Sequence, residues 1–185
     1  LWLSENVFGI GSEVAQESLQ TLTLFYATAV IITAYRILRH FKLEGTALYF
    51  PLAVIAFHPS FILFSGSINN DVLSVAFLLG AVLWTLKWYE KQTWEGILKI
   101  ALYMGLGMMT KLSVALAAFS IGAVFLVVLV RQCRAKNWRI FGQYGAFLGI
   151  CAPLGLWYPI RNLVRFGVPL NYVQEMSVKS DQYLG

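Results

Sequence analysis

Charge is scarce in this chain. Only 12% of its 185 residues are Asp, Glu, Lys or Arg, against about 25% in an average soluble domain. Hydrophobic residues make up 58%, and the mean hydropathy is +0.67. So few charges cannot cover the surface of a soluble fold of this size, which excludes a disordered chain and a typical cytosolic enzyme. Cysteine is scarce too. Cys133 and Cys151 form no C-x-x-C and no zinc spacing, so a disulfide scaffold is excluded and both read as ordinary thiols. No repeat of fixed period and no low-complexity linker is visible. G-x-S-x-G, Walker A, H-E-x-x-H and the dinucleotide-binding fingerprint are all missing.

What remains is hydrophobic length. Six apolar runs cover roughly 19–35, 46–64, 72–88, 96–110, 112–130 and 140–158. A bilayer core of about 30 Å needs about 20 helical residues. Backbone polar groups go unpaired in lipid unless the segment is helical, and strand alternation is absent. The expected fold is therefore all-α, a polytopic transmembrane bundle of about six spans. The fourth run is the shortest, and Lys99 lies inside it.

The basic residues sort by side. Arg36, Arg39, Lys42, Lys87, Lys91, Lys99, Arg131, Arg134, Lys136 and Arg139 fall on one side of a six-span chain, ten of the fourteen Lys and Arg. Lys111, Arg161, Arg165 and Lys179 fall on the other. The richer side is expected to be cytoplasmic. The net charge of +5 thus reads as a topology signal, and no nucleic-acid module accompanies it.

The outer connections carry the unusual chemistry. They hold Ser65-Gly66-Ser67-Ile68-Asn69-Asn70-Asp71, then Thr110-Lys111-Leu112-Ser113, then Trp157-Tyr158-Pro159-Ile160-Arg161-Asn162. Polar groups near a membrane interior are costly and mark functional sites with a partner. Asp71 and Lys111 sit at the ends of adjacent connections, where they can pair. Lys111 and Arg161 suit a lipid phosphate, the first as a point charge and the second as a bidentate fork. Simpler roles compete. Asn70 and Asp71 also suit a helix N-cap, Lys111 can snorkel, and Arg161 can anchor at headgroups beside Trp157 and Tyr158. His58, before Pro59, suits a metal less well than a kink carbonyl, because no second ligand stands at metal spacing. Gly105, Gly107 and the 115–118 segment suggest close helix packing.

Taken in order, His58-Pro59-Ser60, the 65–71 segment, Gly105-Leu106-Gly107-Met108-Met109-Thr110-Lys111, the 157–162 segment and Phe166-Gly167-Val168-Pro169 resemble one family. They are similar to the membrane glycosyltransferases of the dolichyl-phosphate-mannose protein mannosyltransferase type (glycosyltransferase family 39, GT-C fold), whose bacterial members include the aminoarabinose transferases of lipid A. The resemblance covers nearly the whole chain. It implies transfer of a sugar from a polyprenyl-phosphate carrier to a protein, lipid or glycan acceptor on the outer face of the cell membrane.

The leaving group would be a lipid phosphate, which needs cations against its developing charge. Lys111 and Arg161, with Asn162, are the residues that fit. Asn70 and Asp71 would orient a cation, a divalent metal or a sugar hydroxyl. The family's catalytic carboxylate lies in an outer loop before the first of these spans, which is expected upstream of Leu1. Glu5, Glu13 and Glu17 do not match that motif. Both ends of the chain are expected to be cut, with the catalytic loop and a C-terminal remainder missing. A transporter or lipid flippase is the competing class. It would place polar groups near the midplane on paired broken helices, whereas here they crowd one rim.

Overall fold

A computed structural model describes residues 12–167. Every regular element among them is helical. They are α1 (Ser12–His40), α2 (Thr46–Ala56), α3 (Pro59–Ser65), α4 (Asp71–Glu90), α5 (Trp94–Thr110), a 3₁₀ turn (Leu112–Leu116), α6 (Ala117–Arg134) and α7 (Arg139–Phe166). The assignments of residues 1–11 and 168–185 to the outer side, Glu5, Pro169 and Lys179 included, lie outside the described residues.

The span count differs from about six. Four helical stretches are long and apolar enough to cross a bilayer alone: Glu17–His40, Asp71–Glu90, Leu112–Arg134 and Arg139–Arg165. A fifth is the bent pair α2 and α3, which meet at 58°. Pro59 causes that break. It lacks an N–H and stands at the first position of α3, and it forces His58 into an extended conformation at φ −64°, ψ 125°. The helix that falls short is α5. Its 17 residues make about 25 Å of helix.

A short helix can still run from one end of the bundle to the other when its neighbours shield it. Gly96, Ile97, Ile100, Ala101, Met104, Gly105 and Gly107 of α5 are buried. The main core gathers on this helix, with Ala81 and Trp88 from α4, Ile121 and Val128 from α6, and Ile140 and Cys151 from α7. A smaller cluster joins Ala27 and Val30 of α1 to Val72 of α4. Large apolar side chains on the outer faces, such as Phe25, Phe50, Phe119 and Val164, are exposed, as lipid-facing residues must be.

In lipid the helices gain no hydrophobic drive to associate, so close backbone approach and polar contacts hold them. Gly105 and Gly155 supply the close approach. A Cβ on Gly105 would sit 2.9 Å from Leu154 Cβ of α7, and one on Gly155 would sit 2.9 Å from Met108 Sδ of α5.

Polar contacts tie the basic end together. Trp88 Nε1 donates to Gln143 Oε1 at 2.8 Å, Gln143 Nε2 to the Gln92 carbonyl at 3.1 Å, and Gln132 Nε2 to Gln92 Oε1 at 3.0 Å. His40 Nε2 lies 3.3 Å from Glu90 Oε1. The three basic connections therefore meet at one end, as the charge sorting requires. Lys99 pairs with Glu95 at 2.6 Å and holds that exposed carboxyl below the usual carboxylate range. Cys133 is exposed, Cys151 is buried, and both are free thiols.

Candidate functional site

The opposite end is built on helix termini. Lys111 is the one extended residue (φ −151°, ψ 119°) between α5 and the 3₁₀ turn. Its N–H donates to the Gly107 carbonyl at 2.9 Å and closes α5, while its own carbonyl accepts from Val114 at 3.0 Å and opens the next turn. Asp71 is the first residue of α4. Lys111 Nζ bonds Asp71 Oδ1 at 2.5 Å. A cation at a helix C-terminus and a carboxylate at a helix N-terminus each complement the local dipole. The pair thus joins two ends that already favour those charges. The Lys111 and Asp71 side chains are 46% and 33% exposed, so a ligand can reach both.

Capping is divided differently from the expectation. Asn70 makes no side-chain cap bond to α4. Asn69 does the local work, since its Oδ1 accepts the Asp71 N–H at 2.9 Å. Asn70 Nδ2 instead crosses to the Thr110 carbonyl at 2.9 Å. That carbonyl belongs to the last turn of α5, which has no intrahelical donor left for it. Asn70 and Asp71 therefore hold α5 by neighbouring bonds, one to a carbonyl and one to a cation. Ser74 Oγ donates to the Asp71 carbonyl at 2.7 Å and firms the first turn of α4.

Two cavities flank the ion pair. One, of about 320 Å³, is walled by Phe61, Phe64, Val75, Leu78 and Val114, with Asp71 and Lys111 at its polar edge. The other, of about 310 Å³, is lined by Met108, Met109 and Leu112, with Asn70, Thr110, Lys111 and Tyr158. Lys111 lines both. Both are mainly apolar with a few polar groups at the edge, Asp71, Ser74 and Ser113 in the first and Asn70, Thr110 and Tyr158 in the second, and the Lys111 cation stands on the ridge between them.

The third segment sits differently from its expected place in a loop. Trp157 to Asn162 lie inside α7, which tolerates Pro153 and Pro159 and ends at Gly167 in the left-handed conformation (φ 70°). Tyr158 reaches the second cavity. Asn162, four residues on and so on the same face, is 1% exposed and bonded. Arg161 is exposed, lines neither cavity and makes no ion pair among the described residues. The structure therefore gathers Asn70, Asp71 and Lys111, sets Asn162 inside the bundle nearby, and leaves Arg161 on the outer face of α7. Thr110 and Tyr158 join the site although their residue types gave no reason to select them. Glu17 is exposed and lines none of these cavities.

A divalent metal fits these residues poorly. Asp71 is the single carboxylate at the cavities, and its Oδ1 is engaged by Lys111. No group of three His, Cys, Asp or Glu that could hold a metal forms among the described residues. His58 is exposed at the start of α3, where its carbonyl accepts from Ile62 at 3.1 Å.

The family model of the dolichyl-phosphate-mannose-protein mannosyltransferases matches residues 1–157. The chain belongs to this family. The mannosyltransferase family comprises membrane glycosyltransferases that use a polyprenyl-phosphate-linked sugar, and its chemistry agrees with a multi-pass helical chain that carries a cation at one rim. The match includes α1 to α6, Asn70, Asp71 and Lys111. It stops before Tyr158, so Arg161 and Asn162 rest on the motif resemblance alone. No curated protein and no solved structure matches the chain.

Proposed function

We propose that this mannosyltransferase-family chain helps to transfer a sugar from a polyprenyl-phosphate carrier to a protein, lipid or glycan acceptor, on the outer face of the cell membrane. The observation that carries the reading is Lys111, set on the ridge between two mainly apolar cavities and held by Asp71. A polyprenyl-phosphate sugar brings its parts in a fitting order: an apolar tail for the Phe61–Phe64 side, a phosphate for Lys111 and a polyol for Asn70 and Tyr158.

The roles follow from that order. Lys111 faces the phosphate and stabilises the charge that grows on it as the sugar–phosphate bond breaks. Asp71 keeps the ammonium aimed while no phosphate is present. Asn70 fixes the end of α5, and with Tyr158 it presents hydrogen-bonding groups to the sugar. Arg161, on the outer face of α7, meets the headgroup layer rather than the donor phosphate, and Asn162 holds that turn of α7 in place. The base that removes the acceptor proton comes from outside the described residues, because Asp71 is committed to Lys111.

Two measurements test this. Full-length protein in vesicles, supplied with a polyprenyl-phosphate sugar, should release polyprenyl phosphate as an acceptor is glycosylated. No turnover with any such donor would remove the reading. For orientation, a Ser67→Cys thiol should react with an impermeant maleimide from outside. The native Cys133 thiol should react only after the membrane is opened. The reverse pattern would turn the site to the cytoplasm.

A further inference from the structure

The face between α6 and α7 is a second, separate feature. α6 is the least embedded of the four unbroken spans, with only Ile121 and Val128 of its 18 residues buried. It stands off from α7 and leaves a groove of about 530 Å³ lined by Phe119, Gly122, Leu126, Leu129, Phe147 and Leu148. The floor is fixed by aromatic packing. Phe125 and Tyr144 stack at 5.2 Å, Phe125 meets Phe147 edge-on at 4.9 Å, and Tyr144 Oη donates to the Phe125 carbonyl at 2.5 Å. That bond satisfies the one hydroxyl in the groove, so the lining stays apolar. A Cβ on Gly122 would meet nothing within 4 Å, which leaves the groove open at its middle.

The groove does not end in the bilayer interior. Leu126 also lines a second hollow, of about 390 Å³, formed by Val127, Val130, Arg131 and Arg134. Ala118 to Val130 spans about 18 Å of helix, close to the half-thickness of about 15 Å that one leaflet occupies. Two guanidinium groups stand at the mouth. Arg131 lies 5.1 Å from the centre of the Tyr89 ring. Neither Arg131 nor Arg134 makes an ion pair among the described residues. The acids on the neighbouring elements at this end are occupied, Glu90 by His40 and Glu95 by Lys99. Trp138, exposed and stacked on Phe141, sits next to this mouth in sequence and suits the headgroup level.

We propose that this trough binds one anionic phospholipid, with an acyl chain along Leu126 and Gly122 and the phosphate on Arg131 and Arg134. The charge selects an anion, and the leaflet-length apolar trough selects a lipid over free phosphate. The site lies at the basic end, away from Lys111 and Asp71, so it is distinct from the donor site.

The test uses the full-length protein, equilibrated with phosphatidylcholine vesicles that contain or lack phosphatidylglycerol and then examined by native mass spectrometry. Wild type should retain phosphatidylglycerol over phosphatidylcholine by about tenfold or more, given the contribution of each arginine near an anionic headgroup. Arg131→Gln with Arg134→Gln should bring that ratio close to one while the protein stays folded, with only a small fall in melting temperature as the Arg131–Tyr89 contact and the lipid are lost. Gly122→Leu, which fills the trough, should lose the lipid although both arginines remain. The proposal is overturned if the double variant keeps the preference or if Gly122→Leu still retains the lipid. It is also overturned if inorganic phosphate alone displaces phosphatidylglycerol, or if wild type carries no lipid because another protein helix fills the groove.

Discussion

Lys111→Ala is expected to lower sugar transfer by about 10²-fold or more, the scale seen when one preorganised group is removed from a developing oxyanion. Insertion and expression should hardly change. The Asp71–Lys111 pair is partly exposed, and pairs of that kind add at most about 1 kcal/mol to stability. Lys111→Arg is expected to rescue activity in part. It restores the charge, but a planar fork cannot take the place of a compact ammonium between two cavities. Asp71→Asn separates two roles. If Asp71 only aims the ammonium, the variant should weaken donor binding modestly and leave the bond-breaking step close to wild type. The measurement is kcat and KM for the lipid-phosphate sugar in vesicles, with membrane insertion checked on the same sample. Unchanged turnover in Lys111→Ala would remove the phosphate assignment.

The second large effect is expected at the crossing of α5 and α7. Gly105→Leu should destabilise the protein by more than the 1–3 kcal/mol typical of overpacked sites, because backbone is involved. An added Cβ meets Leu154 Cβ at 2.9 Å and the Cys151 Cα at 3.4 Å, and neither can swing aside. Gly155→Ala should cost less, since its nearest neighbours are the sulfur and methyl of Met108, a side chain with three soft torsions. Gly122→Ala serves as the control, because nothing lies within 4 Å of its Cβ position. Tryptophan fluorescence during denaturation in mixed micelles, followed for all three variants, checks the order. Equal stability for Gly105→Leu and Gly122→Ala would contradict the close packing.

Much of the architecture follows from local sequence. Apolar length predicts the helices, and the basic clusters predict which connections meet, as His40–Glu90 and Gln92–Gln132 now show. The pairing of Asp71 with Lys111 is legible because opposite charges stand alone at adjacent connections. The division of labour among Asn69, Asn70 and Asp71 is not legible. Each of these residues suits a cap equally well, and only the position of Thr110 across the turn decides that Asn70 reaches outward. Arg161 shows the same limit from the other side. Its type suits phosphate, but the phase of α7 sends Tyr158 into the cavity and leaves Arg161 outside. Counting α5 as a sixth span also overreaches, because its apolar run reflects burial among neighbouring helices and its 17 residues fall short of the candidate spans. The glutamine network at the basic end joins residues 40 to 55 positions apart, and no spacing rule connects side chains across that distance.

The central claim is that the ridge at Lys111 holds the lipid phosphate. A photoreactive polyprenyl-phosphate sugar, crosslinked to the full-length protein and mapped by peptide mass spectrometry, tests it most directly. The account predicts adducts in residues 61–64, 72–78 and 108–114 that unlabelled donor displaces. Displaceable adducts confined to residues 126–144, at the opposite end, would contradict it.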